Sequence, residues 1–235
     1  MENKNITLIG IIGNAESGKD FVTNIIQYLV WKKINPKYDQ PFTPVDRNAS
    51  GWENRKFAGK LKEIAASLCG VSKYMFESSE FKNSIMPIQW QEIIGYSDCI
   101  DDDGNKIPIY TERTYRWLLQ NLGTNAIRDV IHKDCWINAL FAYYDLESTY
   151  EWSKDDVSHQ HKWIISDVRF LNEVKAIKDR GGILIRKNGL HKSVDGHQSE
   201  SELKDYVADF NINYCDNIDD LIEEVRKILI QIGIL

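Results

Sequence analysis

Residues 6–12, Ile6-Thr7-Leu8-Ile9-Gly10-Ile11-Ile12, are apolar without alternation. Such a strand needs cover on both faces, which predicts the centre of a parallel sheet. The run leads into a glycine-bearing stretch, 13–20, after which Phe21, Ile25, Ile26, Leu29 and Val30 recur at helical spacing. A second helix reads from 57 to 69, with Leu61, Ile64, Ala65 and Leu68 on its apolar face and Gly70 as its stop. Between 80 and 112 the periodicity is lost, and Asp103-Gly104-Asn105 between short β-prone pieces predicts a hairpin or an insertion. Helical spacing returns over 114–130 and 136–146, and the polar stretch 148–162 reads as a surface loop. Trp163-Ile164-Ile165-Ser166-Asp167 is a short strand closing on an acid. A helix over 169–180, the pair Gly181-Gly182, strands over 183–186 and 210–215, and a final helix over 219–232 complete the pattern. Strands alternating with helices predict an α/β fold, a parallel β-sheet flanked by helices. The simplest parse is a single domain, 1–235, with an inserted or variable segment at about 80–112.

Composition narrows the class without naming a function. The 235 residues are 43% hydrophobic and 27% charged, as in an ordinary globular chain with a real core. Twenty-nine Lys and Arg against 35 Asp and Glu leave a formal charge of −6, which argues against a protein that coats long nucleic acid. Cys69, Cys99, Cys135 and Cys215 are widely spaced and never C-x-x-C, so reduced thiols fit better than a zinc site or a disulfide framework. The apolar runs near both ends are shorter than the ~20 residues that span a bilayer, and the first lacks the marks of a signal peptide. No membrane association and a cytoplasmic location are the expectation.

Gly13-x-x-x-x-Gly18-Lys19 has the spacing of a phosphate-binding P-loop, here between an apolar strand and a helix. Backbone N–H groups must wrap a phosphate closely, Lys19 offers charge to the β/γ oxygens, and the helix presents its N-terminus to the anion. The bland alternative is a glycine-rich surface turn with an exposed lysine. Asp20 stands where most P-loops carry Ser or Thr; a carboxylate there suits Mg²⁺, a hard ion, or simply complements the helix N-terminus. Asp167, at a strand tip, is equally a metal-organising acid or an N-cap, and Arg169 beside it tips the balance toward an anion site. Arg116 and Gln120, four apart, share a helix face with Gly123-Thr124 and Arg128 beyond; a lone pair of this kind is usually a solvated polar face. On residue type alone His197, Ser199 and Glu200, near the turn Asp195-Gly196, suit a helix cap.

Together the segments GNAESGKDFV, FAGKLKEIA, TYRWLLQNLGTNAIRDV, DCW, SDVRFLNEVKAI, GGILIR and DGHQSESEL, in that order, resemble the deoxynucleoside monophosphate kinases of bacteriophages over residues 6 to about 205. The resemblance implies a P-loop kinase fold and transfer of the γ-phosphoryl of ATP, with Mg²⁺, to a deoxynucleoside monophosphate. It implies a donor loop of Gly13, Asn14, Ala15, Glu16, Ser17, Gly18, Lys19 and Asp20, with Asp20 and Asp167 at the metal. Lys62, Arg116, Gln120 and Arg128 would contact the acceptor, Trp136 would line its pocket, and His197, Ser199 and Glu200 would lie near the phosphates or a lid. Lys19, Arg128, Asp167 and Arg169 would be the catalytic set. Thr114-Tyr115-Arg116 departs from the family's usual Thr-Pro-Arg, and Gly59-Lys60 replaces a common acidic residue and proline.

Two other readings share the P-loop: a kinase for a different small phosphate, since animal phosphomevalonate kinases also carry SGKDFV, and an ATPase acting on water. Base choice, ribose tolerance and homodimer formation are not decided by the sequence. His159-Gln160-His161 lacks a third ligand for a metal, and Asp101-Asp102-Asp103 lacks the spacing of a calcium loop and reads as a solvated turn. The net −6 excludes a polyanion-coating surface but not a local cationic site made by Lys19, Lys62, Arg116, Arg128 and Arg169.

Overall fold

A computed structural model of the chain describes residues 6–14, 17–37, 41–45, 49–147, 161–189 and 202–235. Contacts divide it into two compact units, Met1–Phe57 with Ile137–Leu235, and Ala58–Trp136.

In the first unit the described strands are β1 (Leu8–Ile12), β2 (Trp52–Arg55), β5 (Lys162–Val168), β6 (Ile183–Lys187) and β7 (Phe210–Ile212), numbered with the second unit's β3 and β4 between them. They form one sheet in the order β2-β5-β1-β6-β7. Every neighbouring pair is parallel. The all-apolar β1 is central, as its pattern requires. Helix α1 (Lys19–Ile34) packs with α7 (Ile218–Gln231) over one face, burying Val22, Ile25, Ile26 and Leu29 with Leu221, Val225, Ile228 and Leu229. Each such side chain contributes about 1.5–3 kcal/mol when fully withdrawn from water. Gly10 lets α6 (Leu171–Asp179) lie close to β1, because a Cβ there would stand 2.7 Å from Ile177 Cδ1. Phe141, on α5 (Cys135–Glu147), stacks on Trp163 of β5.

β2 was not legible in the sequence. Its WENR buries only Trp52 fully, and it is a strand because it pairs with β5 along an edge. The connection leaving β1 reaches β2 beyond β5, whereas the one leaving β5 reaches β6 beyond β1. Connections from two adjacent strands thus run in opposite directions along the sheet, and a ligand crevice of an open α/β sheet opens at the carboxyl ends of such strands. One irregularity falls there. Gly10 pairs with Ile165 and Ile12 with Val168, so β5 advances three residues while β1 advances two. That bulge, between Ile165 and Val168, breaks the two-residue alternation of the strand: Ile164 packs in the core with α1, whereas Val168 lies beside Ile177 of α6 next to Gly10.

The second unit holds α2 (Ala58–Cys69), α3 (Ser79–Asn83), the hairpin β3 (Ile93–Ile100) and β4 (Lys106–Tyr110), and α4 (Tyr115–Gln120). The turn predicted at Asp103-Gly104-Asn105 joins the hairpin. Asp101 Oδ1 accepts the N–H groups of Asp103 and Asn105 at 3.1 and 2.8 Å, the expected turn chemistry. The predicted face of α2 holds at Ala65 and is corrected at Ile64 and Leu68. Ala65 and Ala66 are buried against Phe76, Tyr115 and Leu118, whereas Ile64 and Leu68 are 41% and 53% exposed. Two small side chains admit the bulky aromatic neighbours, and the helix turns accordingly. The helix expected over 114–130 is α-helical only to Gln120 and continues as a π-helix, Asn121–Arg128. At its first turn Gly123 meets Leu61 so closely that a Cβ would lie 2.8 Å from Leu61 Cδ2.

Candidate active site

The loop after β1 is shaped by two glycines with different reasons. A Cβ on Gly13 would stand 2.6 Å from the Lys187 carbonyl oxygen, so the backbone passes where no side chain fits. Gly18 caps α1 at φ 88°, the left-handed conformation that suits glycine. Gly18 O accepts from Phe21 and Val22 N–H at 3.0 and 3.1 Å, starting the helix, and no side chain caps that end. A helix N-terminus left without a side-chain cap, following a tight glycine loop, is a ready anion seat. Lys19 folds back over the loop, its ammonium donating to the carbonyls of Gly13 and Asn14 at 2.7 and 2.5 Å. Ser17 Oγ is buried with no hydrogen-bond partner, an unsatisfied hydroxyl facing the same turn.

Asp20, one residue on, is held from two strands. Ser166 Oγ lies 2.9 Å from its Oδ1 and 3.0 Å from Asn54 Oδ1. One hydroxyl proton serves one acceptor, so both contacts are satisfied when the Asn54 amide turns its NH₂ toward Ser166. Lys56 Nζ reaches the same carboxylate, 2.9 Å from Oδ1 and 3.0 Å from Oδ2. Desolvation pushes the Asp20 carboxyl up. The hydrogen bond and charge of Lys56, the Ser166 hydroxyl and the Lys19 charge outweigh it, leaving the group below the usual carboxylate value. Asp167 Oδ1 accepts the Phe57 N–H at 2.8 Å. Consecutive residues 56 and 57, at the exit of β2, thus engage both candidate metal acids. Lys56 was not singled out by the sequence; its place at the end of a strand that itself went unread hid it.

The alternative role of Asp167 as an N-cap does not hold. Glu173 Oε2 accepts from Arg169 N–H at 2.8 Å and Phe170 N–H at 3.1 Å, and Glu202 Oε1 accepts from Leu171 N–H at 2.8 Å. Two carboxylates therefore serve the start of α6, and Asp167 serves the β2 exit. At the end of β6, Arg186 donates to the carbonyls of Leu203 and Tyr206, each at 2.7 Å, and Lys187 to those of Asn188 and Asn213 at 3.0 and 2.9 Å. Burial pushes both cations' pKa values down. Their positive charge rests on neutral carbonyls behind the loop that Lys187 shapes, and the sequence reading did not mark either.

Lys62, Arg116, Gln120, Arg128 and Trp136 all belong to the second unit. Lys62 pairs with Glu77 at 2.8 Å and Arg116 Nε donates to Asn83 at 2.7 Å. Gln120 is exposed and Arg128, at the last π turn, is half-buried. Trp136 is buried and its indole N–H donates to Gly123 O at 2.9 Å, fastening the π segment to the start of α5. Ala15, Glu16, His197, Ser199, Glu200 and His159 lie outside the described residues; His161 sits beside Trp163 and 3.9 Å from Glu53. Among the described residues, no helix is long and apolar enough to cross a membrane, and no group of three or more His, Cys, Asp or Glu gathers as a metal site.

A five-stranded parallel sheet flanked by helices, with a glycine loop between its central strand and the next helix, is the architecture of the P-loop kinases. The chain belongs to the deoxynucleotide monophosphate kinase family, whose model matches residues 62–225, and is accordingly a phosphotransferase. No curated protein matches the chain. The matched residues include Lys62, Arg116, Gln120, Arg128, Trp136, Asp167 and Arg169 but begin after the glycine loop, whose reading therefore stands on its geometry.

Proposed function

We propose that the protein transfers the γ-phosphoryl group of ATP to a deoxynucleoside 5′-monophosphate, with Mg²⁺ at the donor side, in one kinase domain into which residues 80–112 are inserted. The observation that carries the donor assignment is the cradle after β1, where Gly13 leaves no room for a Cβ and Lys19 lies over the loop carbonyls. Residues 13–20 then receive the ATP phosphates, Gly13 and Gly18 by conformation and Lys19 by charge. The unsatisfied Ser17 hydroxyl and the oxygen donors of Asp20 and Asp167 fit a phosphate and a hard divalent ion. Bound Mg·ATP supplies the transferable phosphoryl and part of the charge neutralisation.

The chain's own task is positioning and electrostatics, because phosphoryl transfer needs little covalent help. Lys19, Arg128 and Arg169 stabilise charge on the transferring group. Lys62, Arg116 and Gln120 bind the acceptor, and Trp136 supports them by holding the π segment that ends in Arg128. His197, Ser199 and Glu200 contribute near the phosphates, as the resemblance implies. A coupled assay of ADP formation over the common dNMPs tests the reading. Base-dependent ADP release supports it. ADP release without acceptor, or with a phosphorylated acceptor lacking a base, overturns it.

A further inference from the structure

Lys56 lies outside the set of residues given a role above, yet its ammonium occupies an unusual place. It bridges both oxygens of Asp20, at 2.9 and 3.0 Å. That is where a divalent ion sharing the carboxylate would draw its ligands. The lysine is the better anchored partner, its side chain 25% exposed against 64% for Asp20. Its backbone continues into Phe57, whose N–H is tied to Asp167. Ser166 holds Asp20 Oδ1 independently of the lysine, so the carboxylate keeps its direction if the ion pair opens. An ion pair with one partner this exposed contributes little to stability, since solvent screens it. A lysine is also a point charge on a flexible stem, able to swing between nearby anions while its backbone stays fixed.

We propose that Lys56 is a nucleotide-binding residue of the donor site, an internal counter-ion that holds Asp20, yields the carboxylate to a divalent cation, and turns its ammonium to a phosphate oxygen of the nucleotide. The inference rests on the reading of Asp20 as a metal ligand.

The test measures two bindings in opposite directions. Mn²⁺ is titrated into the nucleotide-free full chain by electron paramagnetic resonance, and Mg·ATP binding is measured by calorimetry. In Lys56→Gln, Mn²⁺ should bind about tenfold more tightly because its competitor is gone. Mg·ATP should bind about tenfold or more weakly, the loss of one charge-assisted contact. Lys56→Arg, which keeps the charge, should restore Mg·ATP binding in part. A merely structural lysine would weaken both bindings together and lower the melting temperature, and that result overturns the proposal. So does a Lys56→Gln chain that binds both ligands as the wild type does. Asp20→Asn separates the two levels: if it leaves Mn²⁺ and Mg·ATP binding unchanged, the metal reading of Asp20 fails as well. If it weakens them while Lys56→Gln does not shift them oppositely, only the role of Lys56 fails.

Discussion

Ser166, from the bulge in β5, places its hydroxyl 2.9 Å from Asp20 Oδ1 on the first turn of α1, joining elements 146 residues apart. Ser166 follows Ile164 at the two-residue spacing of a strand, and Ile164 packs in the core with Val22 and Ile25 of α1, so the hydroxyl is presented on the α1 face. Ser166→Ala removes the hydroxyl without disturbing the buried strand. We expect a loss of about 1 kcal/mol in urea unfolding. Because Asp20 loses one of its two restraints, the apparent Mg²⁺ requirement for phosphoryl transfer should rise several-fold. An unchanged Mg²⁺ titration would show that Ser166 does not orient Asp20 for metal.

Gly13→Ala and Gly18→Ala should differ in a way that ordinary glycine replacement does not explain. The new Cβ at Gly13 meets the Lys187 carbonyl at 2.6 Å, backbone that cannot swing aside, so we expect about 1–3 kcal/mol of destabilisation and loss of ATP binding. At Gly18 the Cβ meets nothing within 4 Å, and the cost is the left-handed backbone alone, roughly 1–2 kcal/mol. Calorimetry with ATP decides between them, and equal retention of binding by both variants would remove the close-approach argument.

Lys19→Ala should lower kcat by about 10²–10³, the scale for losing one preorganised charge at a transferring group. The carbonyls of Gly13 and Asn14 that it now engages are only partly buried and can turn to water, so the melting temperature should move little. A variant that melts normally yet keeps more than a tenth of the activity would exclude Lys19 from charge stabilisation.

What the chain's pattern made legible was whatever is local. β1, the glycine loop and α1 follow from an apolar run, a spacing and a helical stripe. The hairpin turn follows from Asp103-Gly104-Asn105, and α7 from the helical pattern of its sequence. β2 was not legible because WENR has no alternation strong enough to mark an edge strand; pairing with β5 makes it one. The α2 face was legible at Ala65 but not at Ala66, which is buried for being small, a property of the aromatic rings it meets rather than of its own hydrophobicity. The π winding after Gln120 accompanies two contacts at Gly123, from Leu61 and from the Trp136 indole, that no helical periodicity contains. In the site, the loop residues were readable by spacing. Lys56 was not, since its partner Asp20 lies 36 residues away on another element.

The lowered pKa of Asp20 gives a pH dependence with a definite sign. Near pH 6 the carboxylate is ionised in the folded and unfolded chain alike, and its contacts with Lys56, Ser166 and Lys19 are in place. Because the folded value lies below the ordinary carboxylate value of 3.8, protons bind the unfolded chain first as the pH falls. The stability contributed by Asp20 is therefore full above that value and is lost as the pH drops through the lower folded value. Exposure of the side chain keeps the effect small, so a comparison is needed rather than a single curve. Asp20→Asn should melt below the wild type at pH 6, and the gap should narrow over the acid window that begins near the ordinary carboxylate value of 3.8 and extends below it. A gap that stays constant across that window would mean that the Asp20 contacts do not depend on its charge.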